Sequence, residues 1–277
     1  MAAMLTFRST ATLWGMSMHN IAILDGDLYV FKACSAVEEE VDWGDGLVTL
    51  YSYKDKAIHA FDTQLTFIKN AFAEETLGES FDDVWVCFSG TGTRFRNNIF
   101  PDYKANRKES RKPLCYYDVI EHIKSTHRVF QEDTLEGDDL LGILATEPTD
   151  DRRVMVSGDK DMLTVPGWFL NTTDGYLHTP DPARAEYNFM YQTLIGDQTD
   201  GYSGCPGIGP KKAEMFLGDS KYGETLWERV VKGYEKYKLS ENDAITQARL
   251  ARILRYSEYN WSTKQVALWN PPIPEVS

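Results

Sequence analysis

The sequence predicts an α/β fold: a mainly parallel sheet covered by helices, followed by a smaller helical unit. Short apolar runs at 21–24, 84–88 and 153–157, bounded by Gly or Asp, read as buried strands. Helical-period segments at 55–77, 115–127 and 136–146 fall between them, and strands separated by helices imply a parallel sheet covered on both faces. After the turn-rich stretch at 180–182 the remainder reads as mostly helical.

Taken in order, Ile21-Ala22-Ile23-Leu24 is the first strand and delivers Asp25 at its end. The helix at 55–77 leads to the second strand at 84–88. Between that strand and the helix at 115–127 lies a positive island, residues 94–112. The helix at 136–146 opens with three acids, and Val154-Met155-Val156-Ser157 delivers Asp159 and Asp161. Trp168-Phe169-Leu170 is short enough for a fourth or edge strand. Helices are expected near 184–195, 210–217, 222–237 and 241–255, and the proline-rich 270–274 is expected to be extended.

With 277 residues the chain can form one large core with a small appended unit. No apolar stretch reaches the roughly 18–20 residues of a membrane helix, so a soluble protein is expected. A net charge of −13 argues against an overall basic coat but leaves room for locally grouped bases. The cysteines Cys34, Cys87, Cys115 and Cys205 show no C-x-x-C spacing and are expected to be reduced and buried. The five histidines are dispersed, away from metal-ligand spacing. The first 17 residues hold Arg8, several Ser and Thr and no acid. A start at Met16 or Met18 is the expectation there, ahead of a targeting role.

Carboxylates gather where apolar runs stop: Asp25; Glu136, Asp138 and Asp139; Asp159 and Asp161; Asp197 and Asp200. Acids in a first helical turn ordinarily cap the helix or complement its dipole, and Gly-Asp pairs ordinarily make turns. Side chains at strand ends, however, point into the crevice where open α/β sheets bind ligands. So many negative charges converging there need cations to stay ionised. Oxygen ligands in that number suit two hard divalent ions, Mg2+ or Mn2+, and two such ions suit phosphoryl chemistry.

Two further patterns concern phosphates. Gly204-Cys205-Pro206-Gly207-Ile208-Gly209-Pro210-Lys211-Lys212 puts a tight Gly207-x-Gly209 turn between helical segments. The next helix then offers free N–H groups with Lys211 and Lys212, a helix-hairpin-helix suited to DNA backbone. The island carries Arg94, Arg96, Lys104, Arg107, Lys108, Arg111 and Lys112, with Phe95, Phe100 and Tyr103 interleaved. Cations for phosphates and rings for stacking suit a nucleic-acid strand, whereas a solvated charged loop is the plainer alternative.

Leu24-Asp25-Gly26-Asp27, Pro101-Asp102-Tyr103-Lys104-Ala105-Asn106-Arg107, Leu135-Glu136-Gly137-Asp138-Asp139, Gly158-Asp159-Lys160-Asp161 and Gly196-Asp197-x-x-Asp200 precede the Gly207 hairpin in that order. In this the chain resembles the 5′-3′ exonuclease and flap endonuclease family over roughly residues 20–270. Within that family it looks most like the phage 5′-3′ exonucleases of short-tailed viruses, to which 248–255 and Glu258-Tyr259-Asn260 are also similar. The resemblance implies a PIN-like core at 20–183 with a basic arch at 90–114, and a helical DNA-binding region at 184–270 with its helix-three-turn-helix at 204–217. Residues 1–19 would be a disordered extension and 271–277 an extended tail. One metal group would use Asp25, Glu136, Asp138 and Asp139, and a second Asp159, Asp161, Asp197 and Asp200. Lys104 and Arg107 would be catalytic. Arg94, Arg96, Tyr103, Lys108, Gly207, Gly209, Lys211 and Lys212 would bind DNA, with a K+ ion at the hairpin. Family members commonly carry an Asp at the end of the second strand, where Phe88-Ser89-Gly90-Thr91 has none. Asp27 or water is expected to fill that slot, and Gly90→Asp is expected to be tolerated.

The function expected is Mg2+-dependent removal of nucleotides from the 5′ end of duplex DNA, extending to 5′ flaps, RNA primers and RNA–DNA hybrids. The setting would be phage DNA replication or recombination in the host cytoplasm, with a monomeric enzyme. A catalytically silent DNA-binding protein and a PIN-type ribonuclease are the alternatives. The duplex-gripping hairpin argues against the second.

Overall fold

The computed structural model describes residues 18–106, 111–218 and 224–272. The expected N-terminal extension, except for its last two residues, and the end of the tail lie outside them. The elements run β1 (Asn20–Asp25), α1 (Gly26–Ala36), β2 (Glu39–Asp42), β3 (Val48–Tyr51), α2 (Lys54–Glu75), β4 (Asp83–Ser89), α3 (Phe95–Ile99), α4 (Tyr116–Thr126), β5 (Arg128–Glu132), α5 (Gly137–Ala145) and β6 (Arg152–Ser157). A 3-10 turn at Lys160–Thr164 leads into β7 (Trp168–Asn171), β8 (Leu177–His178), α6 (Pro182–Ile195), α7 (Pro210–Gly218), α8 (Leu226–Lys236) and α9 (Glu241–Ala251). A short hairpin of β9 (Tyr259–Asn260) and β10 (Gln265–Val266) follows.

The main sheet has the order β5-β4-β1-β6-β7-β8. All its neighbours pair in parallel except β7 with β8. Strand alternation sends Ala22, Leu24, Val86 and Val156 to one face, under α1, α2 and α4. Ile21, Ile23, Cys87 and Met155 go to the other, under α5 and Ile253–Leu254. Fully burying each Val, Leu, Ile or Met side chain among these contributes about 1.5–3 kcal/mol. A third cluster holds α6 to α9 together around Phe189, Leu194, Trp227 and Tyr234.

Every expected strand and helix among the described residues is present, with differences at the edges. The sequence reading missed α1 because it leaves β1 without a turn: the Asp25 carboxylate caps it, accepting from the Leu28 amide at 3.1 Å. It missed β5 because that edge strand carries no fully buried residue. The β2–β3 hairpin is exposed along most of its length and lacks the apolar alternation that marks strands. The helix expected over 241–255 stops at Ala251, because the chain there turns back onto the core. The Arg252 carbonyl accepts from Arg96, and the Leu254 amide donates to Asp139, in place of helical partners. Residues 253–268 therefore pack on the sheet rather than on the helical unit.

Candidate active site

At the carboxyl edge of the sheet, β1 lies between β4 and β6, and a crevice of about 240 Å³ opens over the three strand ends. Asp25, Asp27, Glu136, Asp138, Asp159, Asp161 and Asp200 line it. This is where open parallel sheets bind ligands. Asp25 caps α1 with one oxygen and accepts from the Ser157 hydroxyl at 2.9 Å with the other. Asp138 sits in the first turn of α5, and Asp159 caps the 3-10 turn that carries Asp161. Burial, reinforced by Asp27 and Asp159, pushes the Asp25 carboxyl up to about 6. Burial and then Asp159 push Asp161 up to about 7. Asp138 is also raised, by burial and by Asp25 and Asp159. Three acids that resist ionisation side by side are a demand for external positive charge.

Glu136 is satisfied from within. One of its oxygens meets Arg94 at 3.0 Å and the Lys104 ammonium; the other meets Arg96 at 3.0 Å and the Tyr103 hydroxyl at 3.0 Å. Burial opposes its ionisation, yet Arg96, Lys104 and Arg94 together hold the carboxyl down at about 2. Lys104 also lies 3.4 Å from Asp200, and its backbone, at φ 58°, donates to the Asp200 carbonyl. The arch is thereby tied across the crevice to the helical unit.

Three expectations are corrected here. Asp139 does not face the crevice: it is fully buried and grips the Arg96 guanidinium through two 2.7 Å bonds. Arg96, at 3% exposure, is for the same reason a buried structural ion rather than a DNA contact. Tyr103 is buried too, its hydroxyl lying 3.0 Å from both Glu136 and Asp200, so its ring offers no stacking surface. Arg107 and Lys108 lie outside the described residues. Arg111 is bonded to Glu38.

The second acidic group adjoins the first. Asp159, Asp161, Asp197 and Asp200 share a neighbouring groove. Asp197 shapes the turn that carries Asp200 by accepting from the Thr199 amide at 2.7 Å. Gln192 of α6 donates to Asp161 and to the Tyr202 hydroxyl, a link that sequence spacing alone does not reveal. Among the described residues no three acidic, histidine or cysteine side chains close tightly around one point. The donor set is nonetheless all carboxylate oxygen, with raised acids facing a polar crevice, which fits divalent cations.

Gly90 also departs from expectation. A Cβ there would stand 2.1 Å from the Glu132 carbonyl oxygen and 2.4 Å from that of Asp133, so Asp cannot be accommodated. Asp27 fills the slot beside the strand end instead, accepting from the Ser89 amide at 2.8 Å and from the Tyr116 hydroxyl at 3.1 Å.

At the hairpin, Gly207 has φ +83° and a Cβ on it would meet the Tyr237 ring at 2.8 Å. Gly209 has open space where its Cβ would be. Lys211 and Lys212 occupy the first turn of α7; both are exposed, and the Lys212 ammonium folds back onto the Gly207 carbonyl at 2.7 Å.

A family model described as the 5′-3′ exonuclease N-terminal resolvase-like domain matches residues 20–172. The chain belongs to the 5′-3′ exonuclease family. It is 31% identical to the exodeoxyribonuclease of Enterobacteria phage T3, over 93% of this chain and 95% of that one. It is 30% identical to the exonuclease of Escherichia phage T7 over the same shares. Among solved structures, the T5 5′-exonuclease with bound zinc and a T5 flap endonuclease with DNA and metal ions each match with a TM-score of 0.57. Identity is 16%, and coverage is 84% of this chain and 89% of theirs. The likeness fixes the PIN-like fold, a mostly parallel sheet flanked by helices.

Proposed function

We propose that the crevice holds two Mg2+ ions, replaceable by Mn2+, and that the protein hydrolyses duplex DNA from its 5′ end. The carrying observation is the set of raised carboxylates at the strand ends, facing Lys104 across one crevice. Asp25, Asp27, Glu136 and Asp138 would hold one ion; Asp159, Asp161, Asp197 and Asp200 the other. Bound there, such ions supply an activated water and neutralise charge at the phosphate. Lys104 and Arg94, now parked on Glu136, are placed to offset charge on the reacting phosphate, with Arg107 beside them in sequence. Lys211 at the start of α7 would take backbone phosphate remote from the reaction. The Gly207 carbonyl already accepts the Lys212 ammonium, so a K+ ion there does not fit.

In this reading residues 20–183 are the nuclease core, with the basic arch at 90–114, and 184–251 grip the duplex. The enzyme acts as a monomer on 5′ ends, 5′ flaps and RNA–DNA hybrids during phage DNA replication or recombination in the host cytoplasm. Among the described residues no helix is long and apolar enough to cross a membrane. Product analysis on a 5′-labelled blunt duplex and a 5′-labelled flap, with Mg2+ and with EDTA, tests the reading. Mononucleotides or short 5′ products only with Mg2+ are expected. Binding without cleavage would make the protein a silent DNA binder, and preference for single-stranded RNA would make it a ribonuclease.

A further inference from the structure

Lys212 is a cation on the wrong end of a helix. It stands in the first turn of α7, where the helix dipole repels positive charge, and although the side chain is exposed its ammonium folds back onto the preceding turn. Three things hold it there: the Gly207 carbonyl at 2.7 Å, the Tyr237 hydroxyl at 2.8 Å, and the face of the Tyr237 ring, whose centroid is 5.4 Å away. The Tyr237 hydroxyl itself donates to the same carbonyl at 3.2 Å. Gly207, at φ +83°, leaves no room for a Cβ against that ring, so turn, ring and ammonium form one packed unit. Carbonyl and hydroxyl oxygens turned toward one point are the donors a desolvated alkali ion seeks. Here a covalently tethered ammonium has taken them.

We infer that Lys212 is an internal substitute for a monovalent metal ion at the hairpin, so that duplex binding by this chain needs no K+. The inference rests on the duplex-gripping role proposed for the hairpin. A tethered charge is present at every salt composition, whereas a bound ion would be titrated by the medium. Lys212 is thus a positioning residue: both lysines are exposed, but the Lys212 ammonium is tied to the turn while Lys211 is left to backbone phosphate.

The test uses the full chain in EDTA, with a fluorescein-labelled duplex followed by anisotropy. Potassium chloride is compared at equal ionic strength with tetramethylammonium chloride, whose cation is too large for a carbonyl site. Wild-type affinity is expected to be the same in both salts. Lys212→Met should lose about fivefold in tetramethylammonium and recover part of that in K+. Without DNA, K+ should raise the melting temperature of Lys212→Met and leave that of the wild type unchanged. If Lys212→Met does not fold, Lys212→Gln removes the charge while keeping a polar end, and should gain a K+ dependence in the same assays. Wild-type binding several-fold tighter in K+ overturns the inference, as does a variant indifferent to K+ in both binding and melting. If the wild type binds no duplex in either salt, the duplex-grip reading fails, and the melting comparison still decides what occupies the hairpin.

Discussion

Asp25 and Asp161, with carboxyls at about 6 and about 7, make the metal-free protein sensitive to pH in a defined direction. Both folded values lie above the unfolded 3.8, so the folded state binds more protons between about pH 4 and 7. The stability they contribute is full below the unfolded pKa and is lost as pH rises through the folded one. Asp25 alone accounts for about 3 kcal/mol across that window. Glu136, held at about 2, acts in the opposite sense, but only as pH falls below about 4.5. Thermal melts in EDTA should therefore show stability falling from pH 5 to pH 8, with a shallower slope in Asp25→Asn and with saturating Mg2+. A slope unchanged by either would show that these carboxyls are not raised in the folded state. Lys104 and Lys211 divide the work on phosphate. Lys104→Ala should cut the single-turnover rate far more than affinity, since its ammonium lies at the crevice between Glu136 and Asp200. Lys211→Ala should weaken binding with little change in rate. Matching losses of affinity alone would make Lys104 an ordinary backbone contact.

At the scale of elements, the junction of β4 with the following loop is the least forgiving. Gly90 donates its amide to the Leu135 carbonyl at 2.8 Å and lies against two further carbonyls, so Gly90→Asp should cost about 3 kcal/mol or more. A chemical denaturation midpoint close to the wild type would contradict that packing. The same junction marks what a sequence can and cannot reveal. The strands that lead to Asp25 and Asp159 were legible because both faces of their sheet are buried and their central runs, 21–24 and 154–156, are apolar. The absence of Asp after Ser89 was legible as a departure, but its consequence was not, because the carbonyls of Glu132 and Asp133 come from 42 and more residues away. Helix α1 was hidden by an N-cap that is also a site residue. The acids of α5 were legible as a group, yet which of them face the crevice depends on Arg96, Arg252 and Leu254, distant in sequence.

Over the whole molecule, the buried Arg96–Asp139 pair is the clasp. Arg96 from the arch side bonds Asp139 of α5, the Leu250 carbonyl of α9 and the Arg252 carbonyl of the returning chain. It thus joins the sheet and its helices to the helical unit, beside Glu136. Removing one partner leaves an unpaired buried charge, and Asp139→Asn should cost about 3–5 kcal/mol, shared between both units. A melt in which the helical unit loosens alone would locate the coupling elsewhere. The strand-end acids are the proposed metal-dependent hydrolytic centre. The most direct measurement is the turnover of a 5′-labelled duplex by Asp159→Asn at saturating Mg2+, set beside its duplex affinity in EDTA. Turnover lower by a factor of about 100 or more, with affinity equal to or tighter than the wild type, is the predicted result. Near-normal turnover at saturating Mg2+ would contradict it.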